Sequence, residues 1–289
     1  MNKFIITTDS TSDLPLEYLE KNNVGLLSIN VQIGEEEYLE DSSLNITEFY
    51  DKMRQGIMLK TSQVNPEQAK IKFEEYLKEG YDILHISFSS ALSGSYNSSR
   101  IAADQLQDEY KNNKIVVIDS LCASLGEGLL VYKALQLKES GKNIDEISKW
   151  IEENKLNVCH YFTVDDLNHL YRGGRISKST AILGTMIGVK PILNVDNEGC
   201  LKAVSKVRGR KKSLITLVDN MEKLIKNSKY KNDIVFIGHA DASKDAEFVA
   251  NKIKERLGIE SFFIAPIGAA IGTHTGPGAV TLFFMAENR

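Results

Sequence analysis

The chain has 289 residues, which is room for two domains of ordinary size. Its hydrophobic fraction of 42% and charged fraction of 26% are those of a soluble globular protein with a sizeable core. With 35 basic against 39 acidic side chains the net charge is −4, so no basic surplus favours nucleic acid, and no apolar run reaches the ~20 residues that a bilayer crossing needs.

Phe4–Thr8 reads as a short buried strand, followed by Asp9-Ser10-Thr11-Ser12-Asp13 and a helix opened by Leu14-Pro15. Val24–Ile33 reads as one strand, and the acidic stretch 35–40 after Gly34 as an exposed turn and edge extension. Asn45 caps a helix with Glu48 three residues on, which is a capping-box spacing. Lys60-Thr61-Ser62-Gln63 is read as a polar loop. Asn65 and Pro66 then start a helix that runs to Gly80. The stretch 83–88 is a buried strand that ends in Ser89-Ser90-Ala91-Leu92-Ser93-Gly94 and passes into a helix from Ser95. A strand at 115–118 and helices at 125–137 and 143–154 complete a β-loop-α alternation, the mark of a parallel sheet with helices on both faces.

The pattern changes after Asn154. Strands are expected at 157–164, 189–195, 200–207, 234–239, 261–265 and 279–286, and helices at 177–186, from Arg208 to Lys226, and up to Leu257. Asp196-Asn197-Glu198-Gly199 is a hairpin signal, and hairpins mean antiparallel pairing. The expectation is therefore an α/β protein of two domains: a parallel-sheet α/β/α domain over 1–156 and a mixed-sheet α/β domain over 157–289.

No GxSxG elbow, GxGxxG fingerprint, P-loop or HExxH motif occurs, so resident catalytic machinery is poorly supported. Cys122, Cys159 and Cys200 are too widely spaced for a metal site and read as free thiols. MNKFIITTDS has no signal-peptide layout, and the cytoplasm is expected. Three hydroxyl loops, at Ser10-Thr11, Thr61-Ser62 and Ser93, should converge at the carboxyl edge of one parallel sheet, where open α/β sheets bind ligands. No charged residue lies between Asp82 and Arg100, so the Ser93-Gly94 loop offers neutral donors and a helix N-terminus, which suit a buried anion. Helix capping is the plain alternative. From the second half, Arg172-Gly173-Gly174-Arg175 and Gly272-Thr273-His274-Thr275-Gly276-Pro277-Gly278 read as Gly-rich loops forming the opposite wall. His274 is balanced between a ligand contact and a turn histidine, and Arg172 and Arg175 between ligand contact and ion pairing. His85, inside an apolar strand, reads as a core histidine, whereas His239 is undecided.

These motifs together, Asp9-Ser10-Thr11-Ser12-Asp13-Leu14-Pro15, Thr61-Ser62-Gln63, Leu92-Ser93-Gly94-Ser95-Tyr96, 170–177 and 274–278, resemble the DegV family in its order and over nearly the whole chain. The resemblance implies a long-chain, palmitate-like fatty acid held between the two domains and no cofactor. It further implies a non-catalytic carrier that presents the ligand's carboxylate to a separate fatty acid kinase for acyl-phosphate formation. Thr61, Ser62, Ser93 and Gly94 would hold the carboxylate with His274, and Arg172 and Thr275 would support it. The family's Pro directly after Thr-Ser-Gln is displaced here by Val64-Asn65. An acyl chain gains ~0.8 kcal/mol per buried CH₂, and Leu26, Ile29, Ile182, Ile187 and Phe263 are expected to line its tunnel. Arg208-Gly209-Arg210-Lys211-Lys212 is the densest basic cluster, and Arg208 and Arg210 are read as a docking patch for the kinase. Rival readings are a small-molecule phosphoryl-transfer component and a lipid-sensing regulator.

Overall fold

In the computed structural model, residues 3–40, 44–178 and 188–289 are described. The expected helix at 177–186, with Ile182 and Ile187, lies outside them. In chain order the strands are β1 (Phe4–Asp9), β2 (Val24–Leu27), β3 (Asn30–Ile33), β4 (Glu36–Leu39), β5 (Leu59–Ser62), β6 (Asp82–Ser87), β7 (Ile115–Asp119) and β8 (Val158–Thr163). They continue with β9 (Val189–Val195), β10 (Leu201–Arg208), β11 (Val235–His239), β12 (Phe262–Pro266) and β13 (Val280–Met285). The α-helices are α1 (Leu16–Lys21), α2 (Ile46–Arg54), α3 (Pro66–Lys78), α4 (Ser95–Glu109), α5 (Leu125–Glu139) and α6 (Ile144–Asn154). After them come α7 (Asn168–Arg172), α8 (Arg210–Ile225), α9 (Ser243–Leu257) and α10 (Ala269–Thr275).

The strands form three sheets. A parallel sheet runs β2-β1-β6-β7, and a mixed sheet runs β10-β9-β8-β13-β11-β12, in which β11 and β12 pair in parallel and the other pairs are antiparallel. A small antiparallel sheet runs β4-β3-β5. The α/β class, with a parallel sheet early and a mixed sheet late, is as the residue pattern indicates. The small sheet is a correction, since the first half does contain antiparallel pairing. The stretch 24–33 is two strands in two sheets, broken at Ser28-Ile29. Thr61 and Ser62 lie on β5, paired with Val31 and Asn30, and not on a loop after a parallel strand.

Side chains alternate across the parallel sheet. Ile5 and Ile83 face α3 and α4 together with Phe73 and Leu106, while Ile6, Leu84 and Ile86 face the second core. That second core is built around α5, which touches β1 and β6 of one sheet and β8, β11 and β13 of the other. The first half of α5 is apolar on nearly every side, Glu127 apart, and such a segment has to be buried; Leu125, Leu129, Leu130 and Ala134 are all fully enclosed. The outer face of the mixed sheet is covered by α8 and α9 through Leu214, Leu217 and Val249. Helix α3 begins as expected: the Asn65 side chain accepts from Gln68 N, and Gln68 returns the bond. Val64, one of the two residues displacing the proline, is buried and donates its N–H to Ser95 Oγ at 3.2 Å.

Candidate functional site

A pocket with about 720 Å³ of atom-free space opens where the three sheets meet. Ile29, Phe88 and Leu92 wall it from the first half of the chain, and Phe162, Leu170 and Phe283 from the second. Thr61, Ser62, Gln63, Ser93, Arg175, His274 and Thr275 supply one set of polar groups, its polar end, and Thr11, Ser124, His160 and Thr281 line it as well. Among the described residues that line it there is no carboxylate. An apolar cavity with a few convergent polar groups is the ordinary form of a small-molecule site.

The polar end joins three elements. Strand β5 presents Thr61, whose Oγ1 lies 2.8 Å from His274 Nε2. His274 occupies the last turn of α10, so the stretch 272–275 is helix and not loop as first read. Burial, with Arg175 adding to it, lowers the His274 pKa to about 4, so the ring is neutral at physiological pH. Its Nδ1 has no partner among the described residues. Gly173 makes room for the ring, because a Cβ there would stand 2.1 Å from His274 Nδ1. Ser93 follows β6, and its Oγ lies 2.9 Å from Ser95 Oγ and accepts from Ser95 N at 3.2 Å. Ser93 thus braces the turn that leads into α4, whose N-cap residue is Gly94, while still lining the pocket. Gly94 does not line the pocket; a Cβ there would meet Gln63 Oε1 at 2.1 Å, so its smallness lets β5 and α4 approach.

Of the two arginines, the structure brings Arg175 into the pocket and leaves Arg172 outside. Arg175 is fixed by its Nε donating to Leu92 O at 3.1 Å and its Nη1 donating to Gly173 O. Burial disfavours its charged form, and no carboxylate among the described residues pairs with it. Arg172 is exposed, near His169 Nδ1 at 3.2 Å, in an adjoining groove that also holds Lys60 and shares Thr61, Arg175 and His274 with the pocket. Arg172, named as a possible supporting contact, thus lies in the groove, and Arg175, weighed equally between ligand contact and ion pairing, lines the pocket.

The back wall contains His160, which the sequence reading passed over. Its Nδ1–H donates to Val158 O at 2.9 Å and its Nε2 accepts from Ala123 N at 3.2 Å, so both nitrogens are occupied. Below the pocket Glu127 is fully enclosed, accepting from Thr8 Oγ1 at 2.7 Å and from Thr11 Oγ1 at 3.0 Å. Burial first, and Asp9 next, raise its pKa. The hydroxyls after β1 are therefore largely engaged by the fold: Thr11 by Glu127, and Ser10 by Ile29 N at 3.0 Å. His85 is a core histidine, held by Thr7 Oγ1 at 3.0 Å and edge-on to Phe73. Of the expected tunnel residues Ile29 lines the pocket, Leu26 lines a separate cavity, and Phe263 stacks on Phe236 in the second core.

Arg210 is not a free docking residue. Its guanidinium is bonded to Asp245 Oδ2 and to Gly278 O, 3.6 Å from Asp165 Oδ1, and it ties α8 to α9 and to the loop before β13. That contact explains a cation at a helix N-terminus without a partner protein. Arg208 ends the edge strand β10. Among the described residues no cluster of His, Cys, Asp and Glu could hold a metal, and no helix is long and apolar enough to cross a membrane. Cys122 and Cys159 are buried free thiols, both raised to about 12 chiefly by burial.

Fold and pocket together define a three-sheet α/β protein with an apolar site whose polar end carries one arginine, one neutral histidine and several hydroxyls. The chain belongs to the DegV family: the model of the "Uncharacterised protein, DegV family" matches residues 3–287. A DegV domain-containing protein of Clostridium perfringens is 46% identical over 291 residues, covering 100% of this chain and 99% of the relative. Among solved structures, DegV of Bacillus subtilis, described as a fatty acid binding protein, is 29% identical with a TM-score of 0.85 over 99% of this chain and 100% of its own. A stearic-acid-binding protein of Eubacterium ventriosum is 25% identical with a TM-score of 0.90, covering 98% of each chain.

Proposed function

We propose that this protein binds one long-chain, palmitate-like fatty acid, its carboxylate among Thr61, Ser62, Ser93, Arg175 and His274 and its tail along the apolar walls. The observation that carries the reading is the pocket's charge pattern. A half-buried arginine that has no acidic partner among the described residues faces hydroxyls and a neutral imidazole, in a cavity whose described lining contains no carboxylate. A buried guanidinium left alone is costly, and a ligand carboxylate supplies the missing charge. In the free protein the Thr61 hydroxyl is shared with His274. With a ligand, Thr61 and Ser93 donate to the carboxylate while the neutral ring holds Thr61 in place.

The protein is proposed to act as a non-catalytic carrier in the cytoplasm, where phosphoryl donors are available. Residues 1–156 and 157–289 would be the two domains that close over the acyl chain, and a separate fatty acid kinase would phosphorylate the presented carboxylate. The open groove beside the pocket supports presentation, because it gives access to Thr61, Arg175 and His274 from outside. Arg208, on the edge strand, is retained as the docking contact, and Arg210 is set aside. Native mass spectrometry of the purified protein tests the ligand: a co-purifying acyl chain is expected. No lipid, with no binding of added palmitate, would sink the carrier reading, and binding of a nucleotide or sugar phosphate in its place would favour a phosphoryl-transfer enzyme.

A further inference from the structure

At the opposite end of α10 from His274, two carboxylates converge on Gly268. Asp13 Oδ1 accepts from Gly268 N at 2.9 Å, and Glu40 Oε1 accepts from Ala270 N at 2.8 Å. A Cβ on Gly268 would stand 2.4 Å from Glu40 Oε1 and 3.0 Å from Asp13 Oδ1, which places the two acids around one point. Among the described residues neither is in an ion pair, and Glu40 Oε2 is closed off from solvent without a partner. Other groups facing the pair are the Ser124 hydroxyl, which donates to Asp13, and the Ser10 hydroxyl beside Glu40. Tyr50 also faces it, with its hydroxyl turned to Ile267 O at 2.8 Å, and behind Tyr50 lies the Arg54–Asp241 ion pair. Two acids sharing one desolvated corner do not both ionise easily. Accordingly burial, with Glu40 adding to it, raises Asp13, and burial raises Glu40 to about 7.

We infer that Asp13 and Glu40 are positioning residues for the ligand site, and that the proton occupancy of this pair sets the pocket's affinity for an anionic head group through α10. The inference rests on the fatty-acid reading for its ligand. The seven-residue helix has its first turn tied to these acids and His274 in its last. Six residues at ~1.5 Å each put the pair ~9 Å from the head-group end. A second negative charge at that range, inside protein, repels a bound carboxylate by an amount on the order of a tenfold change in affinity. Binding therefore weakens as pH rises through 7. His274, with a pKa of about 4, does not titrate in that window.

The test uses delipidated full-length protein and the fluorescent fatty acid cis-parinaric acid, with Kd measured from pH 6 to pH 8.5. The parent is expected to bind about tenfold more weakly at pH 8.5 than at pH 6. Glu40→Gln, which keeps the acceptor oxygen, should hold the pH 6 affinity throughout, and Glu40→Asp should restore the slope. Ionisation of the ligand is common to all three proteins and cancels in the comparison. A Gln variant with the parent's slope would overturn the inference. Failure to bind at any pH would count against the fatty-acid reading, and the pair is then decided by NMR of ligand-free protein. The His274 ring resonances should move with a midpoint near pH 7 in the parent and not in Glu40→Gln. A parent without that transition, or a variant that keeps it, overturns the role of the pair.

Discussion

Replacing Thr61 by Val keeps the side chain's shape and its β-branch while removing a single oxygen. Backbone pairing of β5 with β3 uses main-chain groups, so the register from Leu59 to Ser62 persists. Two things are lost: the 2.8 Å contact with His274 Nε2 and a donor to the ligand carboxylate. Hydrogen bonds to a charged group contribute about 1.5–3 kcal/mol, so binding should weaken about 10- to 150-fold. Ser93→Ala removes a second donor, but Ser93 Oγ also accepts from Ser95 N in the turn before α4, so this variant should lose about 1 kcal/mol of stability as well. The assay is titration calorimetry with palmitate on delipidated protein, beside urea unfolding of each variant. Thr61→Val should keep the parent's unfolding midpoint and lose affinity. If both variants bind within twofold of the parent, the carboxylate is held elsewhere. If Thr61→Val unfolds early, its role is structural and the site assignment loses its main support.

Arg175→Met should weaken fatty-acid binding by tenfold or more, and should raise the His274 pKa because one of the two causes lowering it is gone; a histidine NMR titration checks both parts. Gly173→Ala has an ordinary backbone angle but drives a methyl into the His274 ring, so it should break the Thr61 contact and weaken binding with little loss of fold; parent-like affinity would refute the packing argument. Arg210→Ala should cost about 1–3 kcal/mol of stability in urea unfolding while leaving ligand affinity in place. Arg208→Glu should leave both unchanged and weaken coupling to a cognate kinase at low salt. Because His274 is held below its ordinary value, the unfolded chain binds its proton between pH 6.5 and about 4 and the folded chain does not. Acidification through that window should therefore destabilise the protein, by about 3 kcal/mol at most from this group, and His274→Asn should show a shallower pH slope of urea midpoints.

The strands of the two large sheets are legible because each is a short run of β-branched and apolar residues bounded by polar turns. The break at Ser28-Ile29 is not, since both halves are apolar and only tertiary pairing assigns them to different sheets. Thr61-Ser62 escapes as a strand for the opposite reason: β5 sits at the edge of a half-exposed sheet and carries no apolar alternation. Within Arg172-Gly173-Gly174-Arg175, the left-handed turn at Gly174, with φ of 74°, helps set the path of the chain after α7, and a residue string does not reveal which arginine turns inward. Glu127 had a readable signal. It is the one acid in the apolar first half of α5, and a charge in such a place is either functional or tied into a buried network.

The bond between Thr61 and His274 spans 213 positions of the chain, and α10 packs against α2, β3 and β5 from the first hundred residues. A nascent polypeptide released from the ribosome at about 5–20 residues per second therefore completes the parallel sheet well before α10 emerges to close the polar end of the pocket. Strand β13, which borders the same pocket through Thr281 and Phe283, ends only at Met285. A chain interrupted before residue 269 would carry His160 and many of the apolar walls but neither His274 nor Phe283, with those walls open to other unfinished chains. On the proposed fatty-acid reading, lipid occupancy on a translating ribosome should be nil until α10 has cleared the exit tunnel.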